Sequence, residues 1–178
     1  MNTKARQNIR STTLLQRRIF GKFVRRSHLI IILTFAFVPS ISISAPSQLI
    51  GDSAGKVVWV DFWASWCAPC RRSFPWMNAM QRKYSSQGLK IIAINVDAER
   101  SSADEFLKQT PAMFSLRFDP DGELAREFDV QAMPSSFLLD ESGRILEQHL
   151  GFKQANAERY ETGIKKALEA TRARHASQ

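Results

Sequence analysis

The chain has 178 residues, 44% of them hydrophobic and 24% charged, which suits one globular domain with a leader and excludes both a disordered chain and a two-domain one. Its net charge of +8 invites a nucleic-acid partner only until that charge is located. Residues 1–28 carry eight basic residues (Lys4, Arg6, Arg10, Arg17, Arg18, Lys22, Arg25 and Arg26) and no acid, and the remainder balances 17 basic against 17 acidic residues, so nothing in the rest of the chain calls for a nucleic acid.

The leader has an ordered composition. Basic residues end at Arg25-Arg26, an apolar run from Leu29 to Val38 follows, and Pro39 leads into the small-residue stretch Ser40 to Ala45. This order describes a secretory signal peptide. No charge falls between Arg26 and Asp52, so an uncleaved N-terminal membrane anchor is the second reading. Residues 1–45 are therefore expected to be a signal peptide or anchor, and 46–178 the exported domain. Either outcome places that domain in the periplasm or on the outer face of the cytoplasmic membrane of a bacterial-type cell, because positive charge stays inside. A start near Val24 gives the leader ordinary signal-peptide proportions, and the Arg17-Arg18 pair lies too far before the apolar run to act as a twin-arginine signal.

Beyond the leader, short apolar runs alternate with helix-period segments. Val57 to Trp63 reads as a buried strand, Pro69 to Tyr84 as a helix with Phe74, Met77 and Met80 on its apolar face, and Gly88 as its stop. Leu89 to Val96 is a second buried strand, and Ser102, Asp104 and Glu105 open another helix. Phe114 to Phe118 is a short strand, Asp121-Gly122 a turn, and Glu123 to Phe128 a short helix. Ser136 to Leu139, Asp140 to Gly143 and Arg144 to Leu150 form strand, turn and strand. Ala155 to Ala173 closes the domain as an amphipathic helix, with Arg172 to Gln178 a solvated tail. Alternating strands and helices imply an α/β layer structure, and the final hairpin makes its central sheet mixed.

The chain's two cysteines, Cys67 and Cys70, stand in Trp66-Cys-Ala-Pro-Cys. A disulfide across so short a loop stabilises a fold little, since that effect grows with loop length. A zinc site needs two further ligands; there is no other cysteine, His28 lies in the leader, His175 in the tail and His149 alone in a strand. Redox chemistry fits better. A strand entering C-x-x-C at a helix start sets Cys67 beside free backbone N–H groups, which favour its thiolate. Pro69 is tolerated in the first turn, and Cys70 is placed to resolve a mixed disulfide formed by Cys67. Arg71 adds nearby positive charge, whereas Arg72 belongs to a solvated helix face. Met77 and Met80 at helical spacing, with Met133, read as core rather than as copper ligands.

The segment Val60-Asp-Phe-Trp-Ala-Ser-Trp-Cys-Ala-Pro-Cys70 resembles the active-site segment of thioredoxins almost residue for residue. Pro75 matches the proline of the family's active-site helix, Val130 to Ser135 resembles the segment carrying its cis-proline, and Gly151 matches a later glycine. The resemblance spans Gly55 to Gly151 and implies a thioredoxin-like fold. With the leader, the inserted helix around 102–109 and the Pro134-Ser-Ser-Phe-Leu-Leu-Asp run, the chain is most similar to the exported TlpA/ResA-type branch. That branch usually opens with a β-hairpin, for which little chain precedes Gly55, and its cytochrome c maturation members carry a Gly-Val-x-Gly-x-Pro-Glu loop that Gln131 to Ser135 lacks.

The resemblance implies an enzyme that exchanges dithiols and disulfides of proteins through Cys67, with Cys70 resolving. Asp61, six residues before Cys67, takes the place of the family's buried acid and assists proton transfer. Trp66, Ala68, Pro69, Met133 and Pro134 are the implied substrate-binding residues, with a cis Met133–Pro134 bond. Trp63 and Trp76 are packing residues. The family's lysine near the acid falls at Ala93, so Asp61 lacks that partner. No cofactor or metal is implied beyond the redox-active cysteine pair. Partners are protein thiols and disulfides and a membrane electron donor, and the chain is expected to be monomeric. A reductase is favoured over an oxidase. The alternatives are a dedicated cytochrome c maturation protein and, from a different class, a metal-handling or redox-inactive binding module.

Overall fold

The computed structural model describes Ser53 and residues 55–177. The expected leader and the boundary at residue 46 lie outside those residues. Among the described residues no helix is long and apolar enough to cross a membrane.

Strand β1 (Val57–Trp63) is buried along its whole length, as a central strand covered on both faces must be. Its side chains alternate between two apolar clusters: Val57, Trp59 and Trp63 on one face, Val58, Val60 and Phe62 on the other. Helix α1 (Ala68–Tyr84) covers the first face with Phe74, Met77, Met80 and Tyr84. Pro75 lies inside α1 on its exposed side, where it has no N–H to offer the preceding turn. A 3-10 turn at Ser85–Gln87 then ends on Gly88, whose φ of 100° suits a residue without Cβ.

Strand β2 (Leu89–Asn95) pairs with β1 in parallel, and the edge strand β3 (Ser115–Phe118) pairs with β2 in parallel. Between them, helix α2 (Arg100–Gln109) seats Phe106 against Trp63 and Phe74, with ring centroids 4.7 and 5.0 Å apart. Helix α3 (Glu123–Glu127) is fixed by Asp119, whose carboxylate accepts from the Leu124 and Ala125 N–H groups. Strands β4 (Ser135–Leu139) and β5 (Ile145–Leu150) form an antiparallel hairpin, and β4 pairs antiparallel with β1. The sheet order is β3-β2-β1-β4-β5, a mixed five-stranded sheet as expected from sequence. Helix α4 (Ala157–Ala176) returns across the α1 face with Tyr160, Ile164, Ala167 and Leu168 buried.

Differences from the sequence expectation fall at element ends. Helix α2 begins at Arg100, before Ser102; Glu99 stands at the N-cap position without a side-chain capping bond, so the polar residues read as the opening lie inside the helix. Strand β3 begins at Ser115, and Phe114 instead packs on Phe74 at 5.3 Å. Helix α4 begins two residues late, after a 3-10 turn, and runs to Ala176. Its last turn is exposed to solvent but helical, held by Thr171 and Arg174, which both donate to Glu141.

Candidate active site

The loop that leaves β1 delivers Cys67 to the start of α1. Cys67 is the N-cap residue; its Sγ accepts from the Cys70 N–H at 3.2 Å, and no acidic residue lies in the first turn. Cys67 and Cys70 are joined as a disulfide with Cα atoms 5.4 Å apart, Cys67 3% exposed and Cys70 fully buried. The N–H groups and dipole of the helix start favour negative charge on Cys67 once the bond is reduced. Trp66 is 70% exposed beside this disulfide. Ala68 is exposed and Pro69 half-buried on the same turn.

The rim is braced from β2. Asp97 accepts from the Ser65 N–H and hydroxyl, both at 2.9 Å, and from the buried Asn95 amide at 2.7 Å. These contacts fix the loop two residues before Cys67. Sequence reasoning missed this set, since Asp97 and Ser65 are 32 positions apart and no local pattern links them. Arg71 and Arg72 are both exposed; Arg71 lies over the Phe106 ring at 4.7 Å and donates to the Ser65 carbonyl at 3.5 Å.

The Met133–Pro134 peptide bond is cis. Pro134 is buried, Met133 is half-buried against both apolar clusters, and the Gly151 N–H donates to the Pro134 carbonyl at 2.7 Å. Gly151 has a φ of 70°, so its backbone closes on this loop in a conformation that favours glycine. The exposed Leu150 stands beside it.

Asp61 is 1% exposed and lies on the β1 face that carries Trp59 and Trp63, the face packed by Cys67, Cys70 and α1. The Ser136 hydroxyl donates to its Oδ1 at 2.6 Å, while Oδ2 is buried without a hydrogen-bond partner. Desolvation pushes the carboxyl up to about 7, against the opposing pull of the Ser136 hydrogen bond. Ala93 is its register partner on β2, so the strand neighbour brings no charge.

His149 is packed on β5, stacked on Trp59 at 5.4 Å and 4.6 Å from the Tyr160 ring, and desolvation pushes its pKa down. Trp63, Trp76, Met77 and Met80 are buried core residues. Among the described residues no three or more His, Cys, Asp or Glu side chains come together as a metal-binding group.

Comparison with known proteins agrees with this geometry. A solved structure from Chlorobium tepidum that bears the name thiol:disulfide interchange protein DsbE is 47% identical, with a TM-score of 0.66, over 70% of this chain and 92% of that one. StoA from Bacillus subtilis is 29% identical with a TM-score of 0.54, covering 62% of this chain and 83% of the other. The thiol-disulfide oxidoreductase ResA of Bacillus thuringiensis is 34% identical over 115 residues, and the chain spans 65% of the length of that relative. The model of the family described as Redoxin matches residues 38–164. With that match covering most of its length, the chain belongs to the Redoxin family, on a thioredoxin-like α/β fold.

Proposed function

We propose that the chain is an exported thiol–disulfide oxidoreductase that exchanges with protein thiols and disulfides through the Cys67–Cys70 pair. The observation that carries this reading is the disulfide at the N-cap of α1, its outer sulfur beside an exposed tryptophan and its inner sulfur buried. The Cys67 thiolate attacks a substrate disulfide, and Cys70 resolves the mixed disulfide by displacing the substrate from Cys67 Sγ. Asp61 takes up the Cys70 proton, because an acid that titrates near neutrality can both accept and return it. Trp66, Ala68, Pro69, Met133 and Pro134 form the docking surface around the sulfurs. The names of the ResA, StoA and DsbE relatives support the exchange chemistry.

Residues 1–45 act as the export leader, cleaved or retained as an anchor, and the domain begins at residue 46. The catalytic cycle uses no cofactor besides the disulfide. Reductase action in an oxidising compartment requires electrons from a membrane donor. A role in cytochrome c maturation uses the same exchange on a narrower substrate; the loop Gln131–Ser135, without that subgroup's glycine and glutamate, favours the broader reading.

The test is the reduction potential of the pair, by equilibration with glutathione and dithiothreitol buffers. A value near about −270 mV supports a reductase, and one near about −120 mV makes the chain a disulfide donor instead. A pair that does not cycle between dithiol and disulfide overturns the exchange reading and returns the binding-module alternative.

A further inference from the structure

The buried carboxyl of Asp61 has two oxygens in unlike surroundings. Oδ1 accepts from Ser136, and Oδ2 is buried with no partner. Ser136 is itself 4% exposed and is the register partner of Asp61 across the β1–β4 ladder, so its hydroxyl is delivered by strand pairing rather than by a flexible loop. Its remaining surroundings offer no competing donor. The indole N–H groups of Trp59 and Trp63, two residues to either side on the same face of β1, are buried without acceptors and so do not donate to Asp61. From β2 the register partner is Ala93. The buried residues of α1 are Cys70, Ser73, Phe74, Trp76, Met77, Met80 and Tyr84, and Ser73 is already committed to the Cys70 carbonyl at 3.0 Å. On α4 the buried residues nearest in kind are Tyr160 and Thr171, neither of them charged at neutral pH. One strand further on, His149 is the register partner of Ser136, and its Nε2 approaches Glu147 at 3.2 Å without hydrogen-bond alignment.

We propose that Ser136 is the positioning residue of this acid: by donating to Oδ1 it orients the carboxyl and leaves Oδ2 as the oxygen that exchanges a proton with Cys70. The inference rests on the role proposed above for Asp61. In the cycle, the Cys67 thiolate forms a bond to one sulfur of a substrate disulfide and expels the other as a thiolate, which takes a proton from solvent. Cys70 then gives its thiol proton to Oδ2, and the Cys70 thiolate attacks Cys67 Sγ. The Cys67–Cys70 bond forms as the Cys67–substrate bond breaks, and the departing substrate thiolate takes the proton that Asp61 holds. The substrate is reduced by two electrons and the cysteine pair is oxidised by two.

A hydrogen bond donated to a carboxylate stabilises the charged form, so Ser136 also keeps the acid ionisable at the pH where it must accept. Without the hydroxyl, desolvation acts unopposed and the carboxyl holds its proton to higher pH. A hydroxyl at this position thus does for Asp61, without charge, what a neighbouring cation would otherwise do.

The test uses the full reduced chain mixed with oxidised glutathione, with resolution of the glutathione–Cys67 mixed disulfide followed from pH 5 to 9 by tryptophan fluorescence and mass. Ser136→Ala is expected to move the Asp61-dependent midpoint upward by about one pH unit and to slow resolution about fivefold at pH 7, with the rate recovering by pH 9. Carboxyl 13C NMR of Asp61 should show the same displacement. Ser136→Thr keeps the hydroxyl and should keep the profile, whereas Ser136→Val, of the same shape as the threonine variant, should reproduce the alanine variant, which removes packing from the comparison. Identical profiles for the threonine and valine variants overturn the role of Ser136. Asp61→Asn separates the two levels. If it flattens the profile while Ser136→Ala changes nothing, only the inference about Ser136 fails; if it changes nothing, the proton-transfer role of Asp61 fails with it.

Discussion

At one end of β4, Ser136 gives Asp61 a single hydrogen bond; just past the other end, Asp140 accepts from the Ser142 N–H and hydroxyl and from the Arg144 N–H and guanidinium. The next residue, Glu141, accepts from Thr171 and from Arg174. Their acidities part accordingly. Asp61 is pushed up to about 7 by burial. Asp140 is lowered, because the bonds from Ser142 and Arg144 outweigh its desolvation, and Glu141 is pulled down to about 2, chiefly by Arg174. The saturated acids bind a turn and a helix end together and have no proton to exchange. The under-partnered acid lies on the β1 face packed by Cys67, Cys70 and α1, where the proton transfer proposed above calls for a group able to change charge near neutrality. Partner number, rather than burial alone, separates the acidities of these carboxylates.

The largest expected effect falls on the reacting sulfur. Cys67→Ser should abolish exchange with a protein disulfide, while Cys70→Ser should trap the substrate as a mixed disulfide visible by mass spectrometry. An active Cys67→Ser variant would remove the reason for an acid at the Asp61 end.

Substitution of Asp61, which faces the start of β4 from β1, and of Asp140, just past the end of β4, should change stability in opposite directions. Asp61 binds its proton more tightly in the folded chain than in the unfolded one, so between its ordinary pKa of 3.8 and about 7 the folded state holds more protons. Stability therefore falls as pH rises through that window and levels off above it. Asp61→Ala should remove this slope and, in chemical denaturation at pH 8, raise stability by about 2–4 kcal/mol before any cavity cost. Asp140→Ala should lower stability by about 1 kcal/mol in the same experiment, since it removes the acceptor that ties the turn to Ser142 and Arg144. Loss of stability in both variants would collapse the comparison.

The Glu141–Arg174 pair sharpens it at smaller scale. Arg174 is 45% exposed, so solvent screens the pair and Glu141→Gln should cost only about 0.5–1 kcal/mol. With the folded pKa depressed, that contribution is present above the unfolded value of 4.5 and disappears as pH falls toward about 2. Comparing thermal midpoints of the variant and the parent at pH 7 and pH 3 checks this. Trp66→Ala should be smallest in stability, within about 0.5 kcal/mol, because the ring is mostly in solvent. It should nevertheless slow mixed-disulfide formation with protein substrates in the same rate assay.

Much of the fold and of the site is legible in the amino-acid sequence. The nearly all-apolar run Val57–Trp63 announces a central strand, and its one acid announces a buried group, because charge interrupts such a strand at high cost. The C-x-x-C spacing after that strand places the sulfurs at a helix start. Other features have no local signal. Nothing near Ser136 in the chain marks it, since its partner is 75 positions away and only the β1–β4 register brings them together. The same holds for Asp97 beneath Ser65, and for the end of α4, which depends on Glu141 some 30 positions upstream. Sequence by itself determined the alternation of elements, the reacting pair and the oddity of Asp61, because periodicity, spacing and a misplaced charge are properties of neighbours along the chain. The tertiary structure alone decided which oxygen of Asp61 is held, which acids are saturated and where helices stop, because a hydrogen bond across strands is fixed by register, and register is a property of the whole sheet.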